Sequence, residues 1–185
     1  MNIDFLRKHY KDEPFQHGLG FMILKMKSNS QLNFHTNLVS GPSKSPHSHT
    51  ANFNSKCLFG ELKNIIYDYK EVTASDWALV SVTCREGDKP EVINNNIKPV
   101  IISEQIQRKG DTISHFYKNI HDFKLLSKHA CTRMTTTNTP QHSQKPLAIK
   151  DKNIEWICPY ENRGTPEENW DIIDQILRDQ DNVLS

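Results

Sequence analysis

Residues 47–69 read HSHTANFNSKCLFGELKNIIYDY. The run Phe53–Tyr69 divides at Gly60 into two strands rich in β-forming residues. Before it stands His47-Ser48-His49. In a strand, residues two apart point to the same face, so both imidazoles can converge on one ion. The same alternation places residues 51 and 53 on that face.

Working outward, the pattern stays mostly β. Gln31–Ser40 alternates, with Leu32, Phe34 and Leu38 on one face and Asn33, His35 and Asn37 on the other. Trp77–Cys84, Ile97–Ser103, Ser114–Tyr117, Phe123–Leu126, Cys131–Thr136 and Ile154–Cys158 are further short strand candidates. Turn signals (GPSKSP, EGDKP, RKGD, TNTP) separate these runs, as in a sandwich or barrel. Glu86–Asn96 and Asn138–Asn153 read as loops. Residues 3–10 form a short helix before Pro14. At the other end, Thr165 followed by Pro166, Glu167 and Glu168 is an N-cap with Pro and acids in the first turn. Trp170, Ile173, Ile176 and Leu177 then recur at helical spacing, which predicts an amphipathic helix covering a sheet or a partner. The organisation is an N-terminal helix and lead-in strand over 1–30, a barrel over 31–160 and a C-terminal helix over 161–185.

Glycine intervals give the histidines their context. Five residues separate Gly41 from His47, Gly60 lies eleven after His49, and Gly110 lies eleven before His121. These spacings resemble the two signature motifs of the cupin superfamily, G-x5-H-x-H-x3/4-E-x6-G and G-x5-P-x-G-x2-H-x3-N. Three of the chain's seven glycines fall at motif positions, and the resemblance covers roughly residues 35–136. Gly60-Glu61-Leu62-Lys63 leading to Tyr67-Asp68-Tyr69 resembles the first-motif hairpin of cysteine-dioxygenase-like cupins. His47, His49, Asn52, Phe53 and Ser55 resemble the H-x-H-x-x-[D/N]-F-x-S pattern of uncharacterised bacterial cupins. The resemblance implies an all-β fold, a double-stranded β-helix or jelly roll. The sequence departs from the motifs in three ways. Phe53 occupies the usual glutamate position. Phe116, Lys118 and Leu125 replace the Pro, Gly and Asn of the second motif. Thr132, Met134 and Thr136 stand nearest the Ser-His-Tyr set of thiol dioxygenases.

On this reading His47, His49 and His121 are the metal ligands, with His115 the rival for the third place. Three neutral imidazoles suit iron, nickel, copper or zinc. The resemblance implies a divalent metal, iron(II) first, with zinc or nickel as alternatives. Without a carboxylate such a site keeps the metal's full charge and favours an anionic or chelating small-molecule substrate. Tyr117 and Arg133 are the candidate substrate-binding residues, Arg133 through a two-pronged bond to a carboxylate. No particular catalytic residue is assigned. The function implied is dioxygenase-like oxidation of a small molecule inside the barrel. The alternatives are a non-catalytic cupin that binds a ligand or protein partner, and a metal-assisted isomerase or hydrolase. The histidines at 9, 17, 35, 129 and 142 read as surface or satisfied side chains. Trp77, Trp156 and Trp170 read as packing anchors.

Composition narrows the classes further. Among 185 residues, 23 Lys and Arg balance 22 Asp and Glu, giving a net charge of +1. A nucleic-acid binder would show a basic excess. No apolar run approaches membrane-spanning length, and the charged start MNIDFLRKHYKDEPF lacks the core of a secretory signal. A cytoplasmic protein is expected. Cys57, Cys84, Cys131 and Cys158 have no C-x-x-C spacing and read as reduced core thiols. Edge strands and the C-terminal helix leave room for a homodimer.

Overall fold

The computed structural model describes residues 2–10, 12–18, 20–26, 29–39, 45–82, 89–137, 145–154 and 164–184, with side chains to residue 180. The first helix is α1 (Ile3–His9). It is followed by β1 (Phe15–His17), β2 (Phe21–Lys25), β3 (Ser30–Thr36), β4 (Phe53–Phe59) and β5 (Glu61–Glu71). Next come β6 (Trp77–Ser81), β7 (Glu91–Arg108), β8 (Thr112–His115) and β9 (Ile120–Leu125). The chain ends with β10 (His129–Thr136), β11 (Leu147–Asp151) and α2 (Pro166–Leu184).

The strands form two sheets, ordered β1-β2-β3-β10-β4-β8 and β11-β6-β7-β5-β9. His47 adds a short bridge segment to the second sheet, pairing antiparallel with His121 of β9 and with Ala148 of β11. Followed along the chain, β3 lies in the first sheet, the His47 segment in the second, β4 in the first, and β5 and β7 in the second. Then β8 lies in the first, β9 in the second and β10 in the first. The resulting orders, β3-β10-β4-β8 opposite His47-β9-β5-β7, are those of a double-stranded β-helix. The fold is a cupin-type jelly roll with helices at both ends.

Gly60 makes the corner from β4 into β5. Its φ is +77°, and a Cβ there would lie 2.2 Å from the His129 carbonyl oxygen. Glycine is needed both for the left-handed turn and for the close passage of β10. Gly110, at φ +95°, makes the corner from β7 into β8 with open space around it. Gly41, the remaining motif glycine, lies outside the described residues.

Apolar and polar faces are divided in an unexpected way. Leu32 and Phe34 of β3 join Met22, Leu24, Phe59 and Cys131 on the outer side of the first sheet, where Leu6, Trp170, Ile173, Ile176 and Leu177 of the helices cover them. The polar set Asn33 and His35 therefore faces the barrel interior, where His35 Nε2 meets Thr132 Oγ1 at 3.2 Å. Leu38 lies beyond β3 and is exposed. Helix α2 starts as its sequence predicts, with Thr165 Oγ1 accepting from Glu168 N at 3.3 Å and Glu168 Oε2 accepting from Thr165 N at 3.0 Å. Trp170 Nε1 donates to Glu13 at 2.7 Å, and His129 bridges Thr36 and Asp179. Gln107, fully buried, donates to the Ser55 carbonyl at 2.7 Å and accepts from Asn64 at 3.1 Å, tying the two sheets together.

Both expected loops contain strand. Residues 91–96 are the first part of β7 and pair with β6 through Ser81↔Glu91, Val80↔Val92 and Leu79↔Asn94, with register shifts on both sides of Leu79. Within the second, β11 pairs with β6 on one side and touches the His47 segment on the other. Local propensity is low in both places, and cross-strand pairing overrides it. Ile149 of β11 joins Leu79, Ile97 and Ile120 in a separate cluster on the face opposite His47 and His121. Cys57 and Cys131 are free and buried. Cys84, Cys158, Trp156, His142 and most of the strand expected at 154–158 lie outside the described residues. No described helix is long and apolar enough to cross a membrane.

Candidate metal centre

Backbone pairing brings the two distant histidine stretches together. His47 N donates to His121 O and His121 N donates to His47 O, each at 2.9 Å, and His49 N donates to Tyr117 O at 3.0 Å. Directly paired residues share a face, and His49 lies two residues on from His47, so all three rings project to the same side. Their centroids are 4.9 Å (His47–His49), 5.3 Å (His47–His121) and 5.0 Å (His49–His121) apart. One ring nitrogen from each lies within 4.8 Å of the others.

The protonation state suits ligation. Burial is the largest cause lowering the pKa of His47, His49 and His121; for the last two, neighbouring histidines lower it further, to well below the usual imidazole value. The rings are neutral near pH 7. His47 Nδ1 lies 3.1 Å from the Ser45 carbonyl oxygen. A carbonyl only accepts, so Nδ1 carries the proton and Nε2 keeps its lone pair. His49 and His121 set Nε2 against Nε2 at 2.8 Å, and His121 Nδ1 is buried without a hydrogen-bond partner. Neutral rings, a locked tautomer and converging nitrogens fit a divalent metal of the zinc or iron group.

Phe53, which the motif spacing sets at the glutamate position, lies among the histidines. Its ring stands edge-on to His49 at 4.7 Å and stacks on His115 at 4.6 Å with an interplanar angle of 13°. Among the described residues no carboxylate belongs to the three-histidine group. His115, at the end of β8, is 97% buried by its 3% exposure, and burial followed by His47 lowers its pKa to about 4.

Tyr117 does not share a strand with His121, because the chain changes sheets between them. It sits in the turn from β8 to β9, with its N–H bonded to Asn52 Oδ1 at 2.9 Å and its carbonyl clasped by His49. Arg133 is exposed, next to buried Thr132 on β10. Thr132 meets His35 inside, so strand alternation turns Arg133 to the outer face. The structure does not bring Arg133 to the histidines.

Sequence reading also passed over a second interior cluster. His17 stacks on Phe21 at 4.7 Å, and Phe123 stands edge-on to His35 at 4.4 Å. His17 contributes to lowering the pKa of His49. The one signal was indirect: the amphipathic C-terminal helix needed an apolar face to cover, and strand periodicity does not say that this face is that of β3.

No protein-family model matches the chain. No curated protein matches it either. Solved structures similar to it include the cupin domain of Drosophila melanogaster CENP-C, with TM-score 0.39 and 11% identity over 73% of this chain and 92% of that one. Another is hydroquinone 1,2-dioxygenase PnpCD in complex with Cd2+ and 4-hydroxybenzonitrile, with TM-score 0.37 and 9% identity over 76% of this chain and 73% of that one. A third is hydroquinone 1,2-dioxygenase from Sphingomonas sp. TTNP3 with 4-hydroxybenzoate bound, with TM-score 0.35 and 10% identity over 74% and 72%.

Proposed function

We propose that this protein is a metal-dependent cupin that oxidises an anionic or chelating small molecule with dioxygen, using a divalent metal, iron(II) first, held by His47, His49 and His121. The observation that carries this reading is the convergence of three neutral ring nitrogens within 4.8 Å from two distant segments. Bound there, the metal would supply Lewis acidity and, as iron(II), the reducing electrons that dioxygen chemistry needs. The Ser45 carbonyl holds the His47 tautomer, and the paired backbones of His47 and His121 hold the ring spacing. Phe53 excludes water and a second negative charge from one side of the centre. That leaves the anionic group for the substrate to bring. Tyr117 is the substrate-side residue of this proposal, its turn clasped directly to His49. Arg133, on the outer face, has no part in it.

Elemental analysis tests the reading. After anaerobic loading with iron(II), and separately with zinc or nickel, the chain should retain about one metal per polypeptide, and the His47→Ala, His49→Ala double variant none. Equal trace metal in both proteins overturns the metal centre. Oxygen uptake with a panel of small carboxylates, thiols and phenols then checks the reaction class. Metal retention without uptake redirects the assignment to metal-assisted isomerisation or hydrolysis. Ligand binding that survives chelation favours a non-catalytic cupin, the reading to which Phe53 in place of a carboxylate points.

A further inference from the structure

The register of the first sheet pairs Phe53, in the glutamate position, directly with His115 of β8. Directly opposed residues on neighbouring strands project to the same face. His115 therefore enters the interior one strand away from where the motif's carboxylate would stand. Its ring centroid is 4.6 Å from that of His121. That is shorter than any separation among the three grouped histidines, 4.9, 5.3 and 5.0 Å. The residue is 3% exposed, and its Nδ1 is buried with no hydrogen-bond partner. A buried polar atom left unpaired costs free energy that a bond to an ion would recover.

We propose that His115 is a fourth metal ligand, making the centre a set of four imidazoles from His47, His49, His115 and His121. This rests on the three-histidine reading above and replaces the motif's carboxylate with a nitrogen donor from the adjacent strand. Phe53 then has a positive role, since its parallel stack fixes the plane of the His115 ring. The nitrogens within 4.8 Å of one another come from the other three histidines. Ligation by His115 thus requires its ring to pivot toward the centre across the face of Phe53. An all-nitrogen set leaves the metal's charge uncompensated and binds zinc more tightly than iron(II).

Zinc is accordingly the probe. X-ray absorption of the zinc-loaded full chain should count four imidazoles, and His115→Phe, which keeps an aromatic ring against Phe53, should count three. Chelator competition should show zinc held at least about ten-fold more weakly in that variant. Three imidazoles in the parent protein, with unchanged zinc affinity in His115→Phe, overturn the fourth ligand and leave the three-histidine centre standing. No zinc in the parent protein overturns both. Should His115→Phe not fold, the count in the parent protein decides alone.

Discussion

Phe53 and its neighbours set what the centre can bind. A phenyl ring cannot ligate, and the buried site around it would penalise an unpaired carboxylate by several kcal/mol. Phe53→Glu is therefore expected to lower the melting temperature of chelator-treated protein while enlarging the upward shift that added zinc produces. Thermal denaturation with and without zinc checks this, and a smaller zinc shift than in the parent would count against the placement of residue 53 at the metal. The histidines also make the metal-free chain sensitive to acid. Above pH about 6.5 neither the folded nor the unfolded chain protonates His115. As pH falls from there toward about 4, its pKa in the folded protein, the unfolded chain takes up a proton and the folded chain does not, so stability falls. Below about 4 both states are protonated and this contribution to the slope ends. Integrated over that window His115 alone costs about 3 kcal/mol, and His47, His49 and His121 shift in the same direction. Urea midpoints at pH 7.5, 6 and 5 in chelator should decline, and His115→Phe should flatten part of the decline.

At the scale of elements, the corners between sheets carry unequal demands that a shared positive φ conceals. Gly60→Ala would place a Cβ against the backbone of His129 and Ala130, whereas Gly110→Ala meets open space. The Gly110 variant is expected to lose about 1–2 kcal/mol, the cost of the left-handed backbone. The Gly60 variant should lose more, because β10 must move, and urea denaturation of the two will rank them; equal losses would contradict the close passage of β10. This contrast was not legible in the motif spacing, which treats both glycines alike. What could be read was the existence of strands that alternate, such as β3, or are rich in β-forming residues, such as β4 and β5. What could not be read were the 91–96 part of β7 and β11, whose stability comes from pairing with β6 and the His47 segment rather than from their own composition. The two-residue periodicity also could not say which face of β3 looks inward, since that depends on what covers the other face.

At the scale of the molecule, the first sheet is covered on its outer side by helices, and the interior is left free for imidazoles and aromatics. Leu32, Phe34 and Cys131 are shielded by Trp170, Ile173, Ile176 and Leu177. Trp170→Ala should cost about 3–5 kcal/mol, read as a lowered urea midpoint, and a change within error would mean that α2 does not carry this core. His129 adds a polar tie, joined to Thr36 on the sheet and Asp179 on the helix. The histidine cluster therefore depends on a distant helix, because α2 covers the outer side of the sheet whose opposite face supplies Phe53 and His115.

Local chemistry written along the chain was enough to point to a mostly β sandwich or barrel, a strand break at Gly60, its terminal helices and the His47/His49 pair, because strand alternation, turn residues and helix caps act over a few neighbours. His121 was singled out as their partner only through the Gly110 interval and the motif resemblance; the stacking of His115 on Phe53, the inward turn of His35 and the outward turn of Arg133 follow from strand order and register. Those are fixed by contacts between residues far apart in the chain, and no short-range pattern encodes them.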